Sequence, residues 1–233
     1  MNESQSKIDT NLKRWKDHFD GRAEALGRSP LANDHFTHRS FTITQRIVLE
    51  QIAGQQGKTI LDIGCGNGLL MQPLLDSYHV YGIDISDKMC ALSRSVGYRE
   101  VLHNDCENIG FDKDFFDVTV SVGIFQYLHA ADQAVAEMAR VTKPGGLVMA
   151  MTLNEESLLR KFFGGKGYIR EYKVAHLFDL FEQNQLGDRE VFPLFLPSGW
   201  TYRARNPSLL SRILMVNYIM KAVKHSSDRV GRL

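Results

Sequence analysis

Cysteine is scarce: three in 233 residues, Cys65, Cys90 and Cys106, with no C-x-x-C spacing. That excludes a disulfide framework or a structural zinc site and points to a reducing cytoplasm. Long apolar runs are missing as well, the longest, such as Ile213 to Val216, falling far short of the ~20 residues of a membrane span. There is no excess of one charge, the net being +1, so no global field calls for an anionic polymer as partner. The polar opening M-N-E-S-Q-S-K-I-D has no apolar h-region, and no secretory signal is expected. Repeats and low-complexity tracts are absent too. What is left is one domain able to bury roughly 70–75% of its unfolded surface.

What is present centres on Lys58 to Leu70, K-T-I-L-D-I-G-C-G-N-G-L-L. Thr59 to Ile63 is a short, β-branched run that suits a strand buried on both faces. Gly64, Gly66 and Gly68 follow at alternate positions, then a helix-compatible run, Leu69 to Leu75. Strand, glycine turn and helix make the first half of a βαβ unit, and open α/β sheets bind ligands at such a turn. The helix would aim its free N–H groups at whatever sits over the turn.

Upstream, Ser6 to Asp20 predicts a short amphipathic helix and Gly21 to Phe36 a loop, with a second helix over Thr42 to Gly54. Downstream, strands are expected over Tyr78–Ile83, Arg99–His103, Phe115–Val122 and Leu147–Leu153. Helices alternate with them, from Ser86 to Val96 and from Ala131 to Val141, the second stopped by Lys143-Pro144-Gly145-Gly146. This alternation predicts a doubly wound, mostly parallel, Rossmann-like sheet. Beyond it come helices over Glu155–Phe163 and Lys173–Gln183, a mobile connector Gly164–Gly167, a sixth strand over Asp188–Leu196 broken at Pro197-Ser198-Gly199, and a final helix over Ser208–Val223. The expected division is an N-terminal helical lid (1–56), an α/β core (57–200) and a basic amphipathic C-terminal helix (201–233), all within one structural domain.

The glycine turn narrows the ligand. A dinucleotide fingerprint needs glycine at 69, where Leu69 stands, and a phosphate loop needs a following Lys that is not there. Asp62, just before the turn, would repel a pyrophosphate but attract an ammonium-bearing ligand. Asp84 ends the second strand, where a carboxylate can accept both ribose hydroxyls of a nucleoside. Asp105 ends the third and can accept from an exocyclic amine. Three carboxylates at successive strand ends suit a nucleoside carrying an amino acid and a positive charge.

On these motifs the sequence resembles the class I S-adenosylmethionine-dependent methyltransferases, in their small-molecule branch. The matching residues are Leu61-Asp62-Ile63-Gly64-Cys65-Gly66-Asn67-Gly68, Gly82-Ile83-Asp84-Ile85-Ser86, Asn104-Asp105-Cys106-Glu107 ahead of Phe115-Phe116-Asp117-Val118, and Arg140-Val141-Thr142-Lys143-Pro144-Gly145-Gly146. The resemblance implies a seven-strand methyltransferase fold with S-adenosylmethionine as cofactor and S-adenosylhomocysteine as product. It implies that Gly64, Cys65, Gly66 and Gly68 line the methionine moiety, that Asp62 helps hold its amino group and that Asp84 binds the ribose. Ile85 and Met89 would pack on adenine, Asp105, Cys106 and Glu107 would read its edge, and Val122 would complete the set. Such enzymes often carry His at one or both of the positions occupied here by Gln126 and Tyr127.

Methyl transfer from a sulfonium is an in-line displacement, so orientation, a dry pocket and a deprotonated acceptor matter most. A general base, if used, belongs near the end of the fourth strand, where Tyr127 and His129 stand, His129 being better matched to neutral pH. Trp15, Phe19, His38, Tyr168, Tyr172 and Trp200, with His35 and Phe41, are candidate walls for the acceptor, though ordinary core packing competes for each. His35 and His38 lack a third ligand, so no metal is expected. From Thr201 onward, seven basic residues face the single acid Asp228, which leaves −5 on the rest of the chain. A helix lying on an anionic membrane, one covering a hydrophobic substrate and one packed on its own domain all fit that tail, and the apolar stripe favours the last. A small-molecule methyltransferase is the leading reading, with O, N or C of an apolar-bodied metabolite as acceptor; a non-catalytic nucleoside-binding scaffold is the alternative. A nucleic-acid substrate is disfavoured, since Ser121-Val122-Gly123-Ile124 replaces an Asn/Asp-Pro-Pro-aromatic tetrad. The oligomeric state is left open.

Overall fold

The computed structural model describes residues 3–34, 37–55, 57–128, 130–163, 170–194, 201 and 203–226. It resolves into two compact units, Met1–Gly110 and Phe111–Leu233.

The first unit runs α1 (Glu3–Leu26), α2 (His38–Ile52), β1 (Thr59–Ile63), β2 (His79–Asp84), α3 (Asp87–Val96) and β3 (Glu100–His103). Its strands lie in the order β3-β2-β1, all parallel, with Ile63 level with Ile83 and Asp84 level with His103. β1 is buried on both faces, as its unbroken apolar run requires. α1 is longer than expected and carries Gly21 within it, because the stripe of Phe19 and Ala23 continues onto a buried cluster with Ala32 and Met89. α2 starts four residues early, where Thr37 and Ser40 form a reciprocal capping box.

The helix expected after the glycine turn does not form. Residues 64–78 make turns and one 3-10 segment, Gln72–Leu74. The cause is Pro73. In an α-helix the Leu69 carbonyl would accept from the N–H of residue 73, which proline lacks. The Gln45 amide serves instead, donating to the carbonyls of Leu69 at 2.7 Å and Leu70 at 3.2 Å. No helix dipole therefore faces the turn from that side.

The second unit runs β4 (Phe116–Val122), α4 (Ala131–Val141), β5 (Thr142–Leu153), α5 (Leu158–Phe163), α6 (Val174–Gln183), β6 (Leu186–Leu194), α7 (Leu209–Leu214) and β7 (Asn217–Lys224). Its order is β4-β5-β7-β6, β7 being antiparallel to both neighbours. Lys143–Gly146 sits inside β5 as an irregularity: register passes from Phe116–Thr142 to Val118–Leu147. Together the seven strands give the mostly parallel, Rossmann-like sheet of the expected class.

The C-terminal helix expected over Ser208–Val223 is a second correction. Only six of its residues are helical, and Asn217–Lys224 is a strand between β5 and β6. Tyr218, Ile219, Met220 and Ala222 are fully buried. A strand buried on both faces reads as a continuous apolar run, which periodicity alone cannot tell from a helix. Gly164–Gly167 and Pro197–Gly199 lie outside the described residues.

Candidate functional site

The glycine turn grows from the end of β1. Gly64 and Cys65 donate their N–H groups to the Ile83 carbonyl, at 2.8 and 3.0 Å, tying the turn to β2. Gly66 (φ +52°) and Gly68 (φ +77°) hold left-handed backbone that only glycine adopts without strain. A Cβ at Gly66 would collide with the Asn33 amide, and one at Gly68 would come 3.1 Å from the Ser93 backbone. Between them Asn67, fully buried, donates to the carbonyls of Gly27 (3.1 Å) and Ser29 (2.8 Å) and accepts from Asn33 Nδ2 (2.9 Å). The segment after α1 is thus fastened to the turn.

Asp84 stands beside it at the tip of β2. One carboxylate oxygen accepts from Gly66 N–H at 2.9 Å and the other from Ser86 N–H at 2.9 Å. Each oxygen retains a lone pair for a further donor. Burial pushes this carboxyl up to about 6, against the lowering effect of those two backbone donors. Asp62, 1% exposed, takes a 2.7 Å hydrogen bond from the Tyr98 hydroxyl. Burial, with the neighbouring Asp84 adding to it, raises Asp62 to about 7 despite Tyr98. Two neighbouring carboxyls that the fold discourages from ionising unaided are suited to a ligand bringing hydroxyl donors and positive charge.

Past Asp84, Ser86 caps α3 by accepting from Met89 N–H. Asp20 of α1 reaches the same helix start, accepting from Ser86 Oγ at 2.5 Å and from Lys88 N–H at 3.4 Å. Burial pushes Asp20 up, but hydrogen bonds from Lys16, Ser86 and Lys88 outweigh it and hold the carboxyl below its ordinary value. Met89 is enclosed by Ala23 and Ala32, with Phe19 and Leu92 against them, while Ile85 is half-buried beside it. After β3, Asp105 accepts from Glu107 N–H at 3.0 Å; Cys106 is buried, and Asp105 and Glu107 are half-buried.

The first unit therefore brings Asp62, Gly64, Cys65, Gly66, Gly68 and Asp84 together, with Ile85 and Met89 along the start of α3 and Asp105, Cys106 and Glu107 after β3. Val122 closes β4 in the second unit, and Tyr127 lies, half-buried, in a 3-10 turn over Phe125–Tyr127. His129 lies outside the described residues, as do His35, Tyr168 and Trp200. Of the proposed walls, Trp15 meets His18 edge-on at 5.7 Å under the Arg14 guanidinium, Phe19 faces the Met89 cluster, and Phe41 is buried in α2. His38 is exposed at the first turn of α2. Tyr172 is buried in the second unit, edge-on to Phe125 and stacked on His176. Asp20, Asn33, Gln45 and Tyr98 were missed. Asn67 carried a signal, being the one side-chain amide inside the Gly-x-Gly-x-Gly run; the others sit at unremarkable positions. Among the described residues no cluster of His, Cys, Asp and Glu could hold a metal ion.

Comparison with known proteins agrees with this geometry. A family model described as a methyltransferase domain matches residues 61–150. A ubiquinone biosynthesis O-methyltransferase of Roseobacter denitrificans is 28% identical over 193 residues, 72% of this chain and 74% of that enzyme. A malonyl-[acyl-carrier protein] O-methyltransferase of Pectobacterium atrosepticum is 26% identical over 212 residues, 82% of this chain and 83% of that one. Among solved structures, a Thermotoga maritima SAM-dependent methyltransferase, a possible histamine N-methyltransferase, superposes with a TM-score of 0.68 at 20% identity, covering 89% of this chain and all of that one. Residues 61–150 thus match a methyltransferase domain, and the chain shares the fold of S-adenosylmethionine-dependent methyltransferases.

The residues present fit that cofactor: a turn free of Cβ atoms, lone pairs on Asp84 for ribose hydroxyls, and buried negative charge to meet an ammonium. When bound, the cofactor supplies the electrophilic methyl group. With the cofactor bound, Asp84 would hold the adenosyl group, and Tyr98, hydrogen-bonded to Asp62 at 2.7 Å, would keep that carboxyl fixed.

Proposed function

We propose that the enzyme methylates an oxygen of a small metabolite whose reacting end is a neutral hydroxyl and whose body is apolar. The observation that carries this reading is a pair of buried hydroxyls, Ser121 Oγ and Thr152 Oγ1, without hydrogen-bond partners. Ser121 pairs with Ala150, two residues before Thr152, so both hydroxyls share one face near the carboxyl ends of β4 and β5. Hydroxyls donate and accept, and a phenol or alcohol completes them at lower cost than a buried carboxylate would. That two relatives are named O-methyltransferases supports oxygen as the acceptor.

Tyr127 and His129 are the candidate bases. We retain the extension 1–56 as the lid over the cofactor, and the cytoplasm as the compartment, on the strength of three buried free thiols. No described helix is long and apolar enough to cross a membrane. The test is transfer from methyl-labelled cofactor to matched phenols, carboxylates and amines. Phenols should be methylated fastest, and Ser121→Ala with Thr152→Val should raise KM for them while leaving cofactor affinity intact. Transfer to carboxylates or amines alone would overturn the reading.

A further inference from the structure

α5 and α7 are short, pack on each other, and do not bury their apolar sides. Leu158 and Phe162 on α5 are 44% and 78% exposed; Leu209, Leu210 and Leu214 on α7 are 65%, 67% and 41% exposed. These five are most of the exposed large apolar side chains among the described residues. Phe162 follows Leu158 by one turn, as Leu214 follows Leu210, so each helix carries a stripe rather than a scatter. Contiguous apolar surface of this kind marks an interaction site.

The charges beside it select the partner. Residues 195–214 contain Arg203, Arg205 and Arg212 and no acidic residue. Lys161 on α5 and Arg205 before α7 are exposed. The acid facing α7, Glu156, is taken up by Arg212 at 3.7 Å. Leucine and phenylalanine on short helices, rimmed by cations, match the boundary between acyl chains and anionic headgroups, where apolar burial and electrostatic attraction add. We propose that the α5–α7 surface docks the enzyme on an anionic lipid bilayer, as a peripheral contact rather than a span.

The α7 half of this surface comes from the stretch Ser208–Val223, whose helix stops after six residues, ahead of β7. The surface is independent of the acceptor chemistry above, since no residue of the hydroxyl pair or of the cofactor site belongs to it.

The test is sedimentation of the full chain with phosphatidylglycerol–phosphatidylcholine vesicles. The protein should sediment with anionic vesicles at low salt, stay with the supernatant on pure phosphatidylcholine, and release as salt rises. Phe162→Ser with Leu209→Ser and Leu210→Ser should lower the bound fraction at least five-fold, with adenosylhomocysteine affinity unchanged as the check on folding. Wild-type protein that ignores anionic vesicles would overturn the proposal, as would a triple variant that binds them equally well. So would a wild-type dimer that this triple variant converts to monomer, which would assign the surface to a second copy of the chain.

Discussion

The two units differ in how far their buried polar groups are satisfied. In the first, Asp62, Asn67 and Asp84 are buried and each is held, by Tyr98, by Asn33 with two backbone carbonyls, and by two backbone N–H groups. In the second, Ser121 Oγ, Thr152 Oγ1 and Asn217 Oδ1 are buried without a partner, and among the described residues every such atom falls in that unit. A buried polar atom left unsatisfied costs on the order of 1–3 kcal/mol, so this is a real asymmetry in preorganisation. The first unit has its hydrogen bonds made before any ligand arrives. The second keeps capacity open.

Removing the carboxylate that the first unit holds most carefully should have the largest effect. Asp84→Ala takes away the acceptor of the Gly66 and Ser86 N–H groups, and with it the acceptor proposed for the ribose hydroxyls. Adenosylhomocysteine affinity measured by calorimetry should fall by about 1.5–3 kcal/mol, the range for hydrogen bonds to a charged group. An unchanged affinity would remove Asp84 from the site. The corresponding test of the second unit is Asn154→Ala. Asn154 Nδ2 donates to the carbonyls of Arg212 (2.6 Å) and Met215 (2.9 Å), where α7 turns into β7. Losing it should cost about 1–3 kcal/mol of stability in denaturant titration while cofactor affinity stays as it was. If affinity fell in step with stability, the separation of roles between the units would fail.

Acidity sharpens the same contrast. Asp62 and Asp84 are raised to about 7 and about 6, so the folded chain holds more protons than the unfolded one between about pH 4 and 7. Their contribution to stability is fully present below the ordinary carboxylate value and is lost as pH rises through 6 to 7. The ligand-free protein should therefore melt at a lower temperature at pH 8 than these two groups would allow at pH 5. Asp62→Asn, which keeps an acceptor for Tyr98 without the charge, should raise the melting temperature at pH 8 and flatten that dependence. Cofactor affinity should run the other way, weakening as pH falls below about 6 and Asp84 takes a proton.

How much of this could be read from the chain differs between the units for the same reason. The alternation of strands and helices, the glycine turn, Asp62 and Asp84 are local patterns, and the sequence displays them directly. What escaped it is non-local. Pro73 was in plain view, yet the loss of a helix there is tolerable only because Gln45, 24 residues upstream, takes the Leu69 carbonyl. Tyr98 has no meaning until β1 and α3 place it on Asp62. β7 was read as helix because burial on both faces erases the alternation that identifies a strand. Asp20 escaped because its partner, Ser86, is 66 positions away.

The smallest expected effect probes how the extension is fastened. Asn33 and Asn67 exchange two hydrogen bonds, Asn33 Nδ2 to Asn67 Oδ1 at 2.9 Å and Asn67 N–H to Asn33 Oδ1 at 3.3 Å. Asn33→Ala removes both, but the two carbonyls that Asn67 also holds keep the turn in place, so the loss should be only about 0.5–1.5 kcal/mol. The damage should be confined to the first unit. Hydrogen exchange in residues 22–34 should quicken, while β5 and β7 keep their protection. Asn67→Ala should cost more, because it also frees the carbonyls of Gly27 and Ser29. Combined, the two substitutions should cost less than the sum of each alone, since both remove the same pair of bonds. Full additivity would mean that the clasp is not a unit and that the extension is held by α1 on α3 instead.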